Sequence, residues 1–503
     1  MKYILNAFLV LVLAAFMMQC EVVSDDLLDN PNAPNPENAS PDFLLNNIQT
    51  GTADFFNNIQ DEASDLTRMT HIFAGTYPSA YQGQDFDDEW EDAYSDILID
   101  VQTLLPLAQE RELYTHEGIA RVLKAYVLIN LVDRFGEVPY SEALSSDNFN
   151  PAIDEGRAVY AAAFAELDTA RTVLQQDPLA APGSDLFYGG DQDSWITLAN
   201  TLELKALVQQ RNIGDPVLPA GASSYSDRVN ALLSGDVIDE PAESFYFQYG
   251  TNTNNPDTRH PAFTDNYLTG AETYMANYYM NELWQDKNNP DPRIRYYFYR
   301  QVNSPTDDVN EQDCINNNPP THYQGIDGSG EGLNDPFCED WNDVGYWGRD
   351  HGNDDGIPPD NLLRTTYGPY PAGGRFDADQ AEGVAETQGL QGAGIQPMWM
   401  AFFTDFLEAE VQLTINNNPD AAETALLEGI ENSMYTVSAL GAPAVQVAAA
   451  DTTADMEITI SGDEVDDPDV EAYINEVESR WDGETADNSG EYSCQRILPG
   501  PVW

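Results

Sequence analysis

The sequence predicts a mostly α-helical protein interrupted by one large, irregular, loop-rich insertion at about residues 303–394. Three observations carry this reading. Apolar residues recur at helical spacing through much of the chain before residue 300 and again beyond 397. Residues 303–394 are instead dense in Gly, Pro, Asp and Asn, a stretch too long for a connector. And 42% of the 503 residues are hydrophobic, with 26 Tyr and 20 Phe, so a large core can form despite a net charge of −65.

The elements follow in order. Lys2 and the apolar run 4–18 form a signal peptide over residues 1–19 that stops at Cys20. The run is shorter than the roughly 20 residues that a bilayer span needs. A cysteine in that position predicts lipid attachment at Cys20. Residues 20–41 are acidic and rich in Pro and Asn, and read as a tether holding a body, 42–503, off a membrane. Residues 42–74 and 86–110 carry helical spacing, with Phe43, Leu44 and Ile48, then Trp90, Tyr94, Ile97 and Leu98. In "IARVLKAYVLINLVDRFGEVPYSEAL" (119–144) apolar residues occur all round, which predicts a buried helix ended by Gly136 and Pro139. Helices are expected at 156–176, 193–213, 225–234 and 271–286. After the insertion, "PMWMAFFTDFLEAEVQLTI" (397–415) reads as a helix started by Pro397, and 420–440 and 466–482 add two more.

Charge narrows the function. With 86 acidic and 21 basic residues the chain cannot bind nucleic acid by releasing counterions, nor anionic lipid by charge. The acidity suits a protein kept soluble in a salty medium. In an exported protein Cys314 and Cys338 are a natural disulfide pair, closing a loop worth about 3 kcal/mol by chain entropy.

Several segments together resemble the SusD/RagB family of nutrient-binding outer-membrane lipoproteins of Bacteroidota, in its SusD-like branch. They are the cysteine-ended signal, "VLKAYVLINLVDRFGEVPYSEAL", "WITLANTLELKALVQQR", "HPAF" (260–263), "ELWQDKNNPDPRIRYYFY" (282–299) and "FFTDFLEAEVQL". The resemblance implies a single helical domain of tetratricopeptide-like helix pairs with an inserted irregular region. It implies a cell-surface, lipid-anchored protein of the outer membrane that captures a glycan or other nutrient. It further implies delivery to a SusC-like TonB-dependent transporter without chemical conversion, hence no cofactor. It also implies a helical C-terminus of the type "KEYFLALFG", where the sequence reads "YSCQRILPGPVW" (492–503). Back-translated with permitted codons and read one base later, that stretch gives "IHAKEYFLALFG". The reading expects a frameshift at about 483–492, with a truncated tail beyond it.

Sugar rings present C–H faces and hydroxyl rims, so a glycan site needs flat aromatic faces beside polar groups. Two clusters qualify: Tyr77 and Tyr81 with Trp90, and Tyr346, Trp347, Arg349, Tyr367 and Tyr370 in the insertion. Replacing Trp347 by Ala is therefore expected to weaken capture without unfolding the protein. "GRDHGNDDG" (348–356) fails the EF-hand spacing, leaving an irregular structural calcium site on Asp350, Asp354 and Asp355 as the expectation. The five histidines include no pair at i, i+4, and no G-x-S-x-G is present. A structural or adhesive surface protein, or a secreted hydrolase, are the alternatives to nutrient capture.

Overall fold

The computed structural model describes residues 39–72, 81–145, 147–268, 273–284, 288–300, 306–312, 346–353, 360, 364–378, 383–448, 457–462 and 464–486. The protein is mostly α-helical, as the periodicity predicts. Helix α1 (Pro41–Leu66) starts on a proline, whose missing N–H costs nothing in the first turn. A second helical run begins with a 3₁₀ turn (Gly83–Phe86) and α2 (Asp87–Glu91). It widens into a π-helical stretch (Asp92–Leu98) and closes as α3 (Ile99–Glu110). Helix α4 (Tyr114–Phe135) is buried all round, with Ile119, Val122, Leu123, Val127 and Leu131 sealed from solvent. It ends where expected: Gly136 takes φ +78 and its N–H donates to Val132 O at 2.8 Å.

Helices α5 (Gly156–Leu174), α6 (Gln192–Gln209) and α7 (Tyr225–Leu233) follow. The Asp191 side chain caps α6 by accepting from Ser194 N at 3.1 Å. Then come α8 (Pro261–Tyr267), α9 (Asn277–Trp284) and α10 (Ile294–Tyr297). The chain closes with α11 (Ala401–Thr414), α12 (Pro419–Ala448) and α13 (Pro468–Ala486). The helices pack as pairs, α4 on α5 and α11 on α12 along their lengths, with α1 laid across the α2–α3 run and α4. One hydrophobic core runs from Leu45 to Trp481, and a smaller one around Met275, Met280, Ile294 and Tyr346 lies under the insertion.

The structure corrects several boundaries. The first helix stops at Leu66 rather than 74, because residues 69–71 leave it to hydrogen-bond along residues 274–276. Pro397 does not start a helix. It lies in β6 (Ile395–Trp399), antiparallel to β3 (Phe245–Gln248), with a bulge between Phe245 and Tyr246. The apolar run had the composition of a helix, but Tyr126 of α4 donates its hydroxyl to Met398 O at 2.7 Å, which an extended strand leaves accessible. The helix expected at 271–286 covers only Asn277–Trp284. Helix α12 is longer than 420–440 and continues through Pro443. Helix α8 was not foreseen; Pro261 opens it and His260 Nδ1 accepts from Ala262 N at 3.1 Å. Three further two-stranded ladders complete the described strands: β1 (Val138–Pro139) with β2 (Ile153–Asp154), β4 (Phe298–Tyr299) with β5 (Thr366–Tyr367), and β7 (Ile460–Ser461) with β8 (Glu464–Val465).

Candidate functional site

Helix α1 and the α2–α3 run meet along a seam of carboxylates and their few donors. Asn47 Nδ2 donates to Asp100 at 2.8 Å and Asn58 Nδ2 donates to Asp92 at 2.9 Å. One turn on, Arg134 of α4 donates through Nη2 to both Glu62 and Glu89, the latter at 2.6 Å. At the end of α1, Asp65 accepts from Thr70 Oγ1 at 2.6 Å and from the Tyr81 hydroxyl at 3.0 Å. The pairing order (47, 58, 62, 65 against 100, 92, 89, 81) makes the two runs antiparallel. Burial pushes Asp92 up to about 7, helped by the charges of Asp54 and Asp96 and opposed by Asn58. Burial likewise raises Asp65 and Asp100.

Over this seam lies a continuous band of rings. Tyr81 neighbours Phe86 at 6.3 Å between centroids, Phe86 meets Phe135 edge-on at 5.9 Å, and Phe135 meets Trp90 at 5.0 Å. Trp90 stacks on Tyr94 at 5.1 Å and 9° between planes. All five are half-buried, and Trp90, Tyr94 and Phe135 also pack against the main core. The Tyr94 hydroxyl donates to Pro139 O at 2.7 Å, which fixes that end of the band. The Arg134 guanidinium sits 5.9 Å from the Phe86 and Phe135 ring centroids and ties the rings to the carboxylates below. The widened π-helical turn starts two residues after Trp90. Such turns are rare and concentrate at functional sites. Flat apolar faces beside carboxylate acceptors suit a sugar ring and its hydroxyls.

The two expected aromatic clusters fare differently. Tyr81 and Trp90 belong to the band, while Tyr77 lies outside the described residues. The insertion cluster is internal. Trp347, Tyr346, Tyr370 and Arg349 are 6%, 4%, 8% and 1% exposed. Tyr367 is only half-buried, but protein covers Tyr346, Trp347, Arg349 and Tyr370, which corrects the expectation that these four form a ligand-facing surface. The reason is a core built from arginines. Asp360 Oδ2 accepts from Arg349 Nη2 at 2.9 Å and from Arg364 Nε at 2.8 Å, and Oδ1 accepts from Gln312 N at 3.0 Å. The Arg364 guanidinium lies 4.8 Å from the Trp347 ring, and that of Arg349 lies 5.1 Å from Tyr274. Arg300 pairs with Asp377 at 2.6 Å, both buried, with Tyr346 5.0 Å below its guanidinium. Tyr367 passes its carbonyl to the Tyr267 hydroxyl at 2.6 Å.

"GRDHGNDDG" begins as a structural strip. Arg349 N donates to Met275 O at 3.0 Å and Asn277 N to Arg349 O at 2.9 Å, beside the 69–71 contact. Gly348 passes so close that an added Cβ would stand 1.7 Å from Met275 O. His351 Nδ1 lies 3.2 Å from Thr70 O, and Asp350 accepts from Asn277 Nδ2 at 3.1 Å. Asp354, Asp355, Cys20, Cys314, Cys338 and the tail beyond 486 lie outside the described residues. Among the described residues no three His, Cys, Asp or Glu side chains are placed to hold a metal ion.

Sequence reasoning missed Phe86, Tyr94, Phe135 and the Glu62–Arg134–Glu89 group. Trp90 and Tyr94, at i and i+4, carry the spacing of a core face, and both do pack, half-buried, against the main core.

Paired helices around one core, with a half-buried aromatic band, define a helical scaffold protein. A family model described as starch-binding and associating with the outer membrane matches residues 31–334, and the chain belongs to this SusD-like family. A crystal structure of a SusD/RagB family protein from Bacteroides thetaiotaomicron is similar over 89% of this chain and 81% of its own, at 16% identity and TM-score 0.61. A chitin-binding protein is similar over 89% and 83%, at 15% identity and TM-score 0.57. A SusD homologue from Bacteroides vulgatus is similar over 79% and 70%, at 17% identity and TM-score 0.53. These structural likenesses carry the fold. Comparison with curated proteins gave no match.

Proposed function

We propose that the protein is a cell-surface nutrient-binding lipoprotein, anchored through Cys20. It captures a glycan on the aromatic band and delivers it, unconverted, to a SusC-like TonB-dependent transporter. The observation that carries this reading is the half-exposed band Tyr81–Phe86–Phe135–Trp90–Tyr94 over a carboxylate seam. Aromatic rings gathered in one row suit the C–H face of a sugar, and the carboxylates beside them suit its hydroxyls. The family's starch-binding description and the likeness to a chitin-binding protein support the same ligand class. Titration calorimetry of the mature chain with maltoheptaose, chitohexaose, xylohexaose and laminarihexaose in salt tests it. The reading expects binding of one class with the oligosaccharide recovered intact. No binding across the panel would remove the glycan reading, and released product would make the protein a hydrolase. Running the panel with and without calcium tests the expected cation at Asp350, Asp354 and Asp355.

A further inference from the structure

The group beneath the band has one donor nitrogen for two acids. Arg134 Nη2 serves Glu62 of α1 and Glu89 of α2 together. Glu89 is only 1% exposed, and its second oxygen, Oε2, is buried with no N–H or O–H donor. Because both carboxyl groups accept from the same nitrogen, they stand side by side. Two carboxylates so placed on a single guanidinium would leave an excess negative charge away from water, which one bound proton removes.

We propose that Glu62 and Glu89 hold one proton between them, and that its loss as the medium turns alkaline is a switch acting on the aromatic band above. Geometry supplies the coupling. Glu89 lies between Phe86 and Trp90 in sequence, and the Arg134 guanidinium lies against Phe86 and Phe135. With the proton present, a carboxylic acid donates to a carboxylate and the seam closes. Without it, two like charges meet at that contact and drive α1 and α2 apart, carrying the rings with them. Burial pushes Glu89 up to about 7 from an ordinary 4.5, opposed by Arg134 and reinforced by Glu62. Burial raises Glu62 too, opposed by Arg134 and aided by Asp85. The charged groups facing the pair are thus Arg134, Asp85 and Asp61, whose own carboxyl burial pushes up to about 6, and Asp92 titrates one turn further along. A carboxyl raised on folding contributes stability present below its unfolded value and lost as pH rises through its folded one. The closed state therefore holds in acid and weakens through about pH 7.

The switch concerns the surface assigned above to the glycan, but its test uses no ligand, so the two readings fail separately. Trp90 emission, taken as the difference between the mature chain and its Trp90→Phe variant, is followed from about pH 5 to about pH 9. The expected result is a one-proton transition centred near pH 7, lost in both Glu89→Gln and Glu62→Gln and kept in Asp92→Asn. A flat wild-type profile would overturn the proposal even if a variant misfolds. A transition that survives Glu89→Gln, or vanishes in Asp92→Asn alone, would overturn it too.

Discussion

Replacing Asp360 by Ala is the sharpest perturbation of the insertion. Asp360 is fully buried, as is Arg364, and Arg349 is 1% exposed. One carboxylate thus serves two guanidinium groups, accepting from Arg349 Nε at 3.2 Å, Arg349 Nη2 at 2.9 Å and Arg364 Nε at 2.8 Å. Its removal takes from Arg364 and Arg349 the carboxylate they share, with the two guanidinium groups left close together. Burial already pulls Arg364 down to about 10, with Arg349 adding to the effect against the opposing charge of Asp360. Breaking a buried pair by deleting one partner costs about 3–5 kcal/mol. Contacts that survive, Arg364 on Trp347 and to Gly348 O, return part of it, for a net of about 4 kcal/mol. Because the pairs join residues 312, 349, 360 and 364 within the insertion, the loss should appear first as local opening. The assay is limited proteolysis with urea denaturation: new cleavage within residues 346–378 at low urea, before the helices melt. Asp360→Asn, which keeps an acceptor without the charge, should fall between. If Asp360→Ala lies within about 1 kcal/mol of wild type with an unchanged cleavage pattern, the ion-pair account of the insertion is refuted.

Three further outcomes follow from the same structure. Trp347→Ala should cost about 3–5 kcal/mol in urea denaturation and leave oligosaccharide affinity unaltered in the fraction that stays folded, since the ring is buried under Arg364. Gly348→Ala should destabilise the 69–71, 274–277, 348–350 strip, read as faster amide exchange at Ala276 and Arg349, because the new Cβ would meet Met275 O. Cys20→Ala should move the protein from the membrane fraction to the medium, and retention in the membrane would undo the lipid-anchor reading.

Most helices were legible because burial imposes a 3.6-residue period that survives one-dimensional reading. Val159, Ala163, Leu167, Ala170 and Leu174 of α5, and Trp195, Leu198 and Leu202 of α6, carry it openly. Gly136 and Pro139 marked a true end, since a left-handed cap and a missing N–H are local properties. Pro397 misled because its run is apolar on every side, and only the distant partner β3 decides that it is a strand. The site was half legible. Tyr81 and Trp90 could be singled out by residue type, but the band needs Phe135, which only tertiary packing brings to Trp90. In the insertion, Trp347 and Arg349 have the chemistry of sugar contacts and the location of core. Asp360 is 11 residues from Arg349 and Asp377 is 77 from Arg300, so their burial is invisible without the fold.

The central claim is that the aromatic band captures the ligand. Calorimetric affinity of Trp90→Ala and Tyr94→Ala for the oligosaccharide that binds the mature chain tests it most directly. Loss of a stacking face is worth about 1 kcal/mol, so the folded fraction of each variant should bind about 5–10-fold more weakly, with the urea midpoint measured alongside because both rings also pack against the core. Wild-type affinity in both variants would contradict the account and place capture elsewhere on the molecule.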